Sequence, residues 1–383
     1  MIILAQDIDV LEIKSYQLVS LAHQALELLL FVADVRLKPR IIQEILDYYE
    51  EKFNSPEDNA SMFIVLKDHV PTGFVICEVN PDYRTYSRRA TTFGWLLADD
   101  LETCAILMEQ CELFAKEHKL RKLRGPINYP KLVGGIGIQT EGFDAPMLNG
   151  VNFSGPESRI LEFLNKLGYE SESKYSCVHV IDKPWEKGDI VGPEYRLGYL
   201  TLEELISRKD EIMELAANSF YSILADAPGG TSRFDEMMDH YAQIPPEYYE
   251  LIIDPRKLTN VPEFLETYNS YDLNKVVTWV HIAFEKETDK IAGLIMTLPN
   301  LYQLWTGESL THCNVDTVMI AKQHAGKGVF SSIHNMGKPI VVAAGISFIE
   351  GTTIWANNDR AIKTIFPHAT PLRTHVVVQK RVK

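Results

Sequence analysis

Cysteine is scarce. The chain has five (Cys77, Cys104, Cys111, Cys177 and Cys313), an odd number with no Cys-x-x-Cys spacing. That pattern excludes a disulfide-stapled scaffold and a cysteine zinc site, and it fits a reducing compartment, here expected to be the cytoplasm with no metal bound. Positive charge is also short: 38 Lys and Arg against 52 Asp and Glu give a formal net charge of −14. Bulk binding to nucleic acid or to an anionic membrane is disfavoured, whereas a cationic amine substrate is compatible. No long apolar run occurs. The most apolar stretch, Leu18 to Val35, is broken by His23, Glu27 and Asp34, which is too short and too charged to span a bilayer. The N-terminus, Met1-Ile-Ile-Leu-Ala-Gln-Asp7, lacks a basic segment of the kind that opens a targeting signal. Glycine (22) and proline (19) are ordinary in number, so nothing points to low complexity.

What is present is a large apolar complement, 46% of 383 residues, enough for two ordinary cores. Apolar residues at 18, 21, 22, 25, 26 and 29 predict a first helix, and Ile41, Ile42, Ile45, Leu46 and Tyr49 mark one face of a second over Pro39 to Phe53. A hairpin follows, Met62 to Leu66 and Gly73 to Val79. A strand over Thr91 to Leu97 then leads through Asp99 and Glu102, read as a capping pair, into a helix reaching His118, and Leu120 to Leu123 gives another short strand. The succession returns downstream. Tyr195 to Leu200 is strand-like, Thr201-x-x-Glu204 is a capping box, Ser232 to Tyr241 is helical, and Val276 to Phe284 with Ile291 to Leu298 forms a hairpin. Strands at Val315 to Ile320, Ser347 to Trp355 and Thr374 to Val378 complete the second half. This is an internal duplication at the level of fold. It predicts a mixed α/β sheet of the α+β class in two domains, 1–182 and 195–383, joined by a linker over 183–194 that collects Pro184, Gly188, Gly192 and Pro193. Gly134-Gly-Ile-Gly137 lacks the strand-to-helix context of a nucleotide loop and reads as a mobile surface loop.

The most informative stretch is Asn314 to Phe330. A β-branched run stops at Gln323-His-Ala-Gly326-Lys-Gly328, after which Phe330 and Ile333 recur at helical spacing. Strand, glycine turn and helix start together make an anion site, because free N–H groups at a helix N-terminus carry about half a positive charge and glycines let the backbone approach a bulky anion.

Gln323-x-x-Gly326-x-Gly328 resembles the Gln/Arg-x-x-Gly-x-Gly/Ala acyl-CoA pyrophosphate loop of GNAT acyltransferases, and Asn358-Asp-Arg-Ala-Ile362 is similar to the Asn-x-x-Ala-Ile of the next GNAT helix. Taken by itself, Asn357-Asn358 also reads as a simple helix N-cap. Gly125-Pro-Ile-Asn128, Glu141-Gly-Phe-Asp144, Leu167-Gly-Tyr169 and Leu298-Pro-Asn300 extend the likeness to tandem GNAT proteins of uncharacterised substrate. The resemblance implies two GNAT-like domains, the second binding acetyl-CoA or another acyl-CoA as co-substrate and the first degenerate, since Leu97-Ala-Asp-Asp-Leu101 puts two carboxylates where the loop would be. It implies an N-acyltransferase, with acetyl the expected group and a small-molecule or peptide amine the acceptor. Two alternatives stay open: aminoacyl or fatty-acyl transfer on the same fold, and a non-catalytic CoA-binding regulator. Oligomerisation is also left open.

For cofactor contacts the resemblance implies Met319, Ile320, Gln323, His324, Ala325, Gly326, Lys327, Gly328, Val329, Phe330 and Asn358, with the strand N–H near Met319 meeting the thioester carbonyl. The position where many GNAT helices carry a tyrosine acid falls at Ile365, which has no proton to give; Tyr302, His368 and Cys313 are the substitutes. Glu350 and Asp316 are the candidate bases, as strand carboxylates that partial desolvation would make more basic, and a purely structural role is as compatible with either. Lys338-Pro339 falls inside the helix after the loop, where proline is expected to kink or interrupt it.

Overall fold

The computed structural model describes residues 7–15, 19–55, 59–81, 83, 85, 88–180, 190–220, 230–245, 259–358, 363, 366 and 368–383. In chain order the strands are β1 (Ile8–Ile13), β2 (Asn59–Lys67), β3 (Val70–Val79), β4 (Thr91–Ala98), β5 (Lys122–Gly125), β6 (Ile138–Glu141), β7 (Glu170–His179), β8 (Tyr195–Gly198), β9 (Val280–Glu285), β10 (Ile291–Pro299), β11 (His312–Ile320), β12 (Phe348–Trp355) and β13 (Thr370–Arg381). The chain divides into two compact units. One holds Met1–Ser176 and Leu372–Lys383, and the other Cys177–Leu224 and Gly230–Pro371.

In the first unit the sheet runs β1-β2-β3-β4-β5-β13-β7, with β6 beside β13. β4 and β5 are parallel, while β1 to β4 pair antiparallel in succession. The strand expected at Thr374 to Val378 is present within β13, and its partners are β5 and β6. The helix Leu101–Glu117 turns Cys104, Leu107, Met108, Cys111, Phe114 and Ala115 inward, the i, i+3, i+4 stripe that a one-sided helix needs, and packs them on Phe63, Val75 and Phe93 of the sheet. Asp100 starts this helix by accepting the Thr103 N–H at 2.8 Å, and the buried Lys67 ammonium bonds Asp100 and Glu102, each at 2.8 Å.

Gly134 to Gly137 does not form a mobile surface loop. All four residues are buried. A methyl group at Gly134 would overlap Asn128 and Trp95, and one at Gly135 would overlap the Val151–Asn152 backbone, so these glycines permit chain segments to touch.

In the second unit the sheet runs β12-β11-β10-β9-β8, antiparallel except for the parallel β11–β12 pair. Helix Leu202–Ser207 opens with the Thr201–Glu204 capping box, in which the Thr201 Oγ1 accepts the Glu204 N–H at 3.1 Å and the Glu204 carboxylate accepts the Thr201 N–H at 2.8 Å. Helix Val329–Ala343 buries Val329, Ile333, Met336 and Ile340 against Ala283, Ala292 and Ile295. It continues past Pro339. Proline removes one N–H from the ladder, but Met336 and Ile340 are both sealed in the core on either side of it, and burial of each side chain contributes about 1.5–3 kcal/mol, which holds the segment helical.

The helix meets β9 most closely at Gly337, where any side chain would run into the buried His281 ring. Replacing glycine by alanine inside a helix ordinarily adds up to about 1 kcal/mol of stability. Here the overlap costs about 1–3 kcal/mol and reverses the sign. Gly337→Ala should therefore lower the unfolding free energy, measured by chemical denaturation, and a stabilised variant would contradict this packing.

Candidate functional site

The β11-to-helix connection is built as a rigid turn. Ala321 N–H donates to Ala292 O at 2.9 Å, a short 3-10 turn covers Lys322–His324, and the Ser219 hydroxyl bonds Ile320 O at 3.2 Å. His324 is buried beneath the turn, its Nδ1 2.9 Å from the Tyr195 hydroxyl and its ring edge-on to the tyrosine at 5.4 Å between centroids. It anchors the loop and does not point outward. Gln323, Ala325, Gly326 and Lys327 are exposed, Gly328 and Phe330 are half-buried, and Val329 is buried. Gly326 and Gly328 have φ of 78° and 77°, a region that residues with a side chain rarely enter.

Gly328 caps the helix with no side-chain hydrogen bond. The helical ladder opens with Ser332 N–H on Gly328 O at 3.0 Å, so the N–H groups of Val329, Phe330 and Ser331 have no partner in it. The direction in which a side chain would leave Gly326 meets nothing within 4 Å. An uncapped helix start with an open approach and an exposed lysine beside it suits a phosphate-bearing ligand.

Next to this turn, β11 and β12 part. Their parallel pairing runs from His312–Phe348 to Val315–Gly351 and ends there, although β11 continues to Ile320 and β12 to Trp355. On the other side of β11 the register to β10 slips between Met296 and Thr297, leaving Asp316 as the extra residue of a bulge. At the fork, the Asn314 amide donates to Thr352 Oγ1 at 3.4 Å, and the Thr352 hydroxyl reaches Val315 O at 3.4 Å. Asn314 Oδ1 is buried with no hydrogen-bond partner among the described residues. Glu350, fully buried, stands opposite Asn314 in the register.

Asp316 lies against helix Gly230–Ala242. Its Oδ1 accepts from Arg233, its Oδ2 accepts the Thr317 hydroxyl at 2.8 Å, and Arg233 also lies 3.6 Å from Glu236. All three charged side chains are nearly buried. Seven residues beyond Arg233, about two turns along the helix, His240 donates through Nε2 to Pro299 O at 2.8 Å. Burial first, and then the Arg233 charge, push its pKa down to about 4, against the opposing pulls of the Pro299 carbonyl and Asp316, so the ring is neutral near pH 7.

No protein-family model and no curated protein sequence matches the chain. Solved structures do. One is described as a tandem GNAT protein from the clavulanic acid biosynthesis pathway: TM-score 0.54, 11% identity, 98% of this chain and 99% of that one covered. The chain has the tandem GNAT fold. A second is the GCN5-related glucosamine N-acetyltransferase region of a fungal multi-domain β-N-acetylglucosaminidase, with TM-score 0.58, 10% identity, and coverage of 99% of this chain and 38% of that one. A third is a conserved protein of unknown function from Enterococcus faecalis V583, described as a probable N-acyltransferase, with TM-score 0.53, 10% identity, and coverage of 98% and 73%.

Within this GNAT fold, the loop residues Gln323 to Phe330 form one turn at the end of β11, and Met319 and Ile320 are the strand residues that lead into it. Tyr302 is buried on the short helix Leu301–Trp305, its ring 5.5 Å from Trp305. His368 is exposed, and Cys313 is fully buried, a burial that pushes its thiol pKa up. Asn358 is half-buried, with its N–H on Trp355 O at 2.8 Å. Residues 359–362 of the Asn-x-x-Ala-Ile motif, Ile365, and most of the expected linker lie outside the described residues. Sequence reasoning missed Asn314, Thr352, Arg233, Glu236 and His240. The one signal was Arg233 itself, the single Lys or Arg on helix Gly230–Ala242, beside Phe234.

Removing Arg233 would leave Asp316 buried with an uncompensated charge, which costs about 3–5 kcal/mol. Arg233→Met should be destabilised on that scale, and adding Asp316→Asn should restore much of the loss. Independent, additive effects in urea denaturation would contradict the pairing.

Proposed function

We propose that the second unit binds an acyl-CoA and transfers its acyl group, acetyl by expectation, to the amine of a small molecule or peptide. The observation that carries this reading is the uncapped helix start at Gly328 beside strands that separate one residue beyond Val315 and Gly351. The residues fit the group. The N–H groups of Val329, Phe330 and Ser331 would hold the pyrophosphate, Lys327 adds a mobile point charge, and Gly326 leaves room for close approach. The bound thioester supplies an activated carbonyl and a thiolate leaving group. The chain's own part is to keep the cofactor in the fork, offer a strand N–H near Met319 to the carbonyl oxygen, and take a proton from the amine.

For the base, Glu350 is the better candidate: both oxygens of Asp316 are already engaged by Arg233 and Thr317. Tyr302 stands as the proton donor to the leaving group, with Ile365 unable to serve. We further propose that the duplicated copies span 1–182 and 195–383, the first degenerate in its cofactor loop, and that the protein works in the cytoplasm, in keeping with five free cysteines and, among the described residues, no helix long and apolar enough to cross a membrane.

A binding-only role is favoured by one observation, that neither Glu350 nor Asp316 is open to solvent. Thiol release measured over a panel of amines separates the two readings. Wild-type protein should bind acetyl-CoA by calorimetry and release thiol with at least one amine. Gly326→Glu should abolish binding with the fold intact, and Glu350→Gln should lower kcat while leaving acetyl-CoA affinity unchanged. Unaltered affinity in Gly326→Glu would contradict the loop assignment, and affinity without turnover on any amine would favour the binding-only role.

A further inference from the structure

The first unit has a fork of its own. β4 and β5 pair only at Thr91–Leu123 and Thr92–Arg124, while β4 runs on to Ala98. A cleft of about 490 Å3 opens there, walled by Leu30, Trp95, Leu97, Phe153, Ile160 and Phe163. The backbone has been bent to make this wall. The β3–β4 register slips between Phe74 and Ile76, and Trp95, opposite the slip, has φ of 50°. A bulky residue in that region stores about 1–3 kcal/mol of strain and is retained only where its surroundings hold it. Here the Trp95 N–H is bound by Asn128 Oδ1 at 2.7 Å and its indole N–H by Tyr129 O at 2.6 Å.

The polar groups around the cleft narrow the ligand. The Asn128 amide is used on Trp95 and on Gly134 O, the Asn152 amide on Gly134 O, and Arg159 is held by Glu162. The helix start that would receive an anion is filled by the chain's own Asp100 carboxylate. Asp99, at the rim, donates its N–H to Thr72 O at 3.1 Å, while its carboxylate makes no hydrogen bond among the described residues. The charged residues that line the cleft are Asp99, Glu157 and Arg159, the last neutralised by Glu162, and the neighbouring Lys67 ammonium is bonded by both Asp100 and Glu102, so the rim is negative. Partial burial and the neighbouring Asp100 hold the Asp99 carboxyl above the usual range, the condition a nearby cation would relieve.

We propose that the first unit binds, in this cleft, a small amine with an apolar body, its ring or hydrocarbon part against Trp95 and Phe163 and its ammonium at Asp99. The charge excludes acyl-CoA from this site, so the proposal stands apart from the reading of the second unit.

Fluorescence titration of the full chain with monodansylcadaverine, and with the uncharged N-pentyl dansylamide of similar shape, tests it. The cationic probe should bind saturably and about fivefold more tightly than the neutral one. Asp99→Asn should erase that difference, Asp99→Lys should make the anionic dansylglycine the preferred probe, and Gly326→Glu should change nothing. Asp99 is exposed, so both substitutions are expected to fold, with thermal denaturation as the check. Absence of saturable binding, equal affinities for the two probes in the wild type, a preference that survives Asp99→Asn, or loss of binding in Gly326→Glu would overturn the proposal.

Discussion

Every helix start exposes N–H groups that something must satisfy, and the two units satisfy the corresponding one in opposite ways. Helix Leu101–Glu117 begins with Asp100, whose carboxylate is bonded to the Thr103 N–H and to Lys67. Its positive end is neutralised from within. Helix Val329–Ala343 begins with a glycine that has no side chain to offer. The corresponding helix start is therefore self-contained in one unit and left without a side-chain cap in the other. The difference reduces to an aspartate against a glycine ahead of two similar amphipathic helices.

Both units also open their sheets by the same device. A parallel pair of strands bonds over two to four residue pairs and then separates, while a bulge on the longer strand re-aims one residue at the fork. In the second unit the re-aimed residue is Asp316, drawn into a buried ion pair with Arg233. In the first it is Trp95, held in a strained backbone by Asn128. A bulge costs a ladder bond and some strain, and its recurrence at both forks places the constraint on the fork itself. What stands at the fork then differs: Asn314, Thr352 and Glu350 in one unit, aromatic rings and the Asp99 carboxylate in the other.

Much of this was legible in local patterns. The capping box at Thr201, the hairpins, and the turn at Gln323 to Gly328 depend on residues a few positions apart, and their chemistry is written in those residues. Features that depend on distant partners were not legible. Gly134 to Gly137 looks like any glycine-rich loop until Asn128, Trp95 and Asn152 are seen to press against it. Arg233 and Asp316 are 83 residues apart, and neither signals the other. Strand β13 alternates as a closing strand should, but nothing in Thr374 to Val378 says that it will pair with β5 and β6. Pro339 reads as a break because its missing N–H is local, whereas the packing of Met336 and Ile340 that outweighs it is not.

On the proposed reading, the free amides after Gly328 hold a diphosphate and those after Asp100 do not. Amide-resolved hydrogen exchange with and without coenzyme A addresses it directly. New protection should be confined to Val329, Phe330, Ser331 and the adjoining turn, with the Thr103 region unchanged. Protection at the Thr103 end, or none at either helix start under saturating ligand, would contradict it.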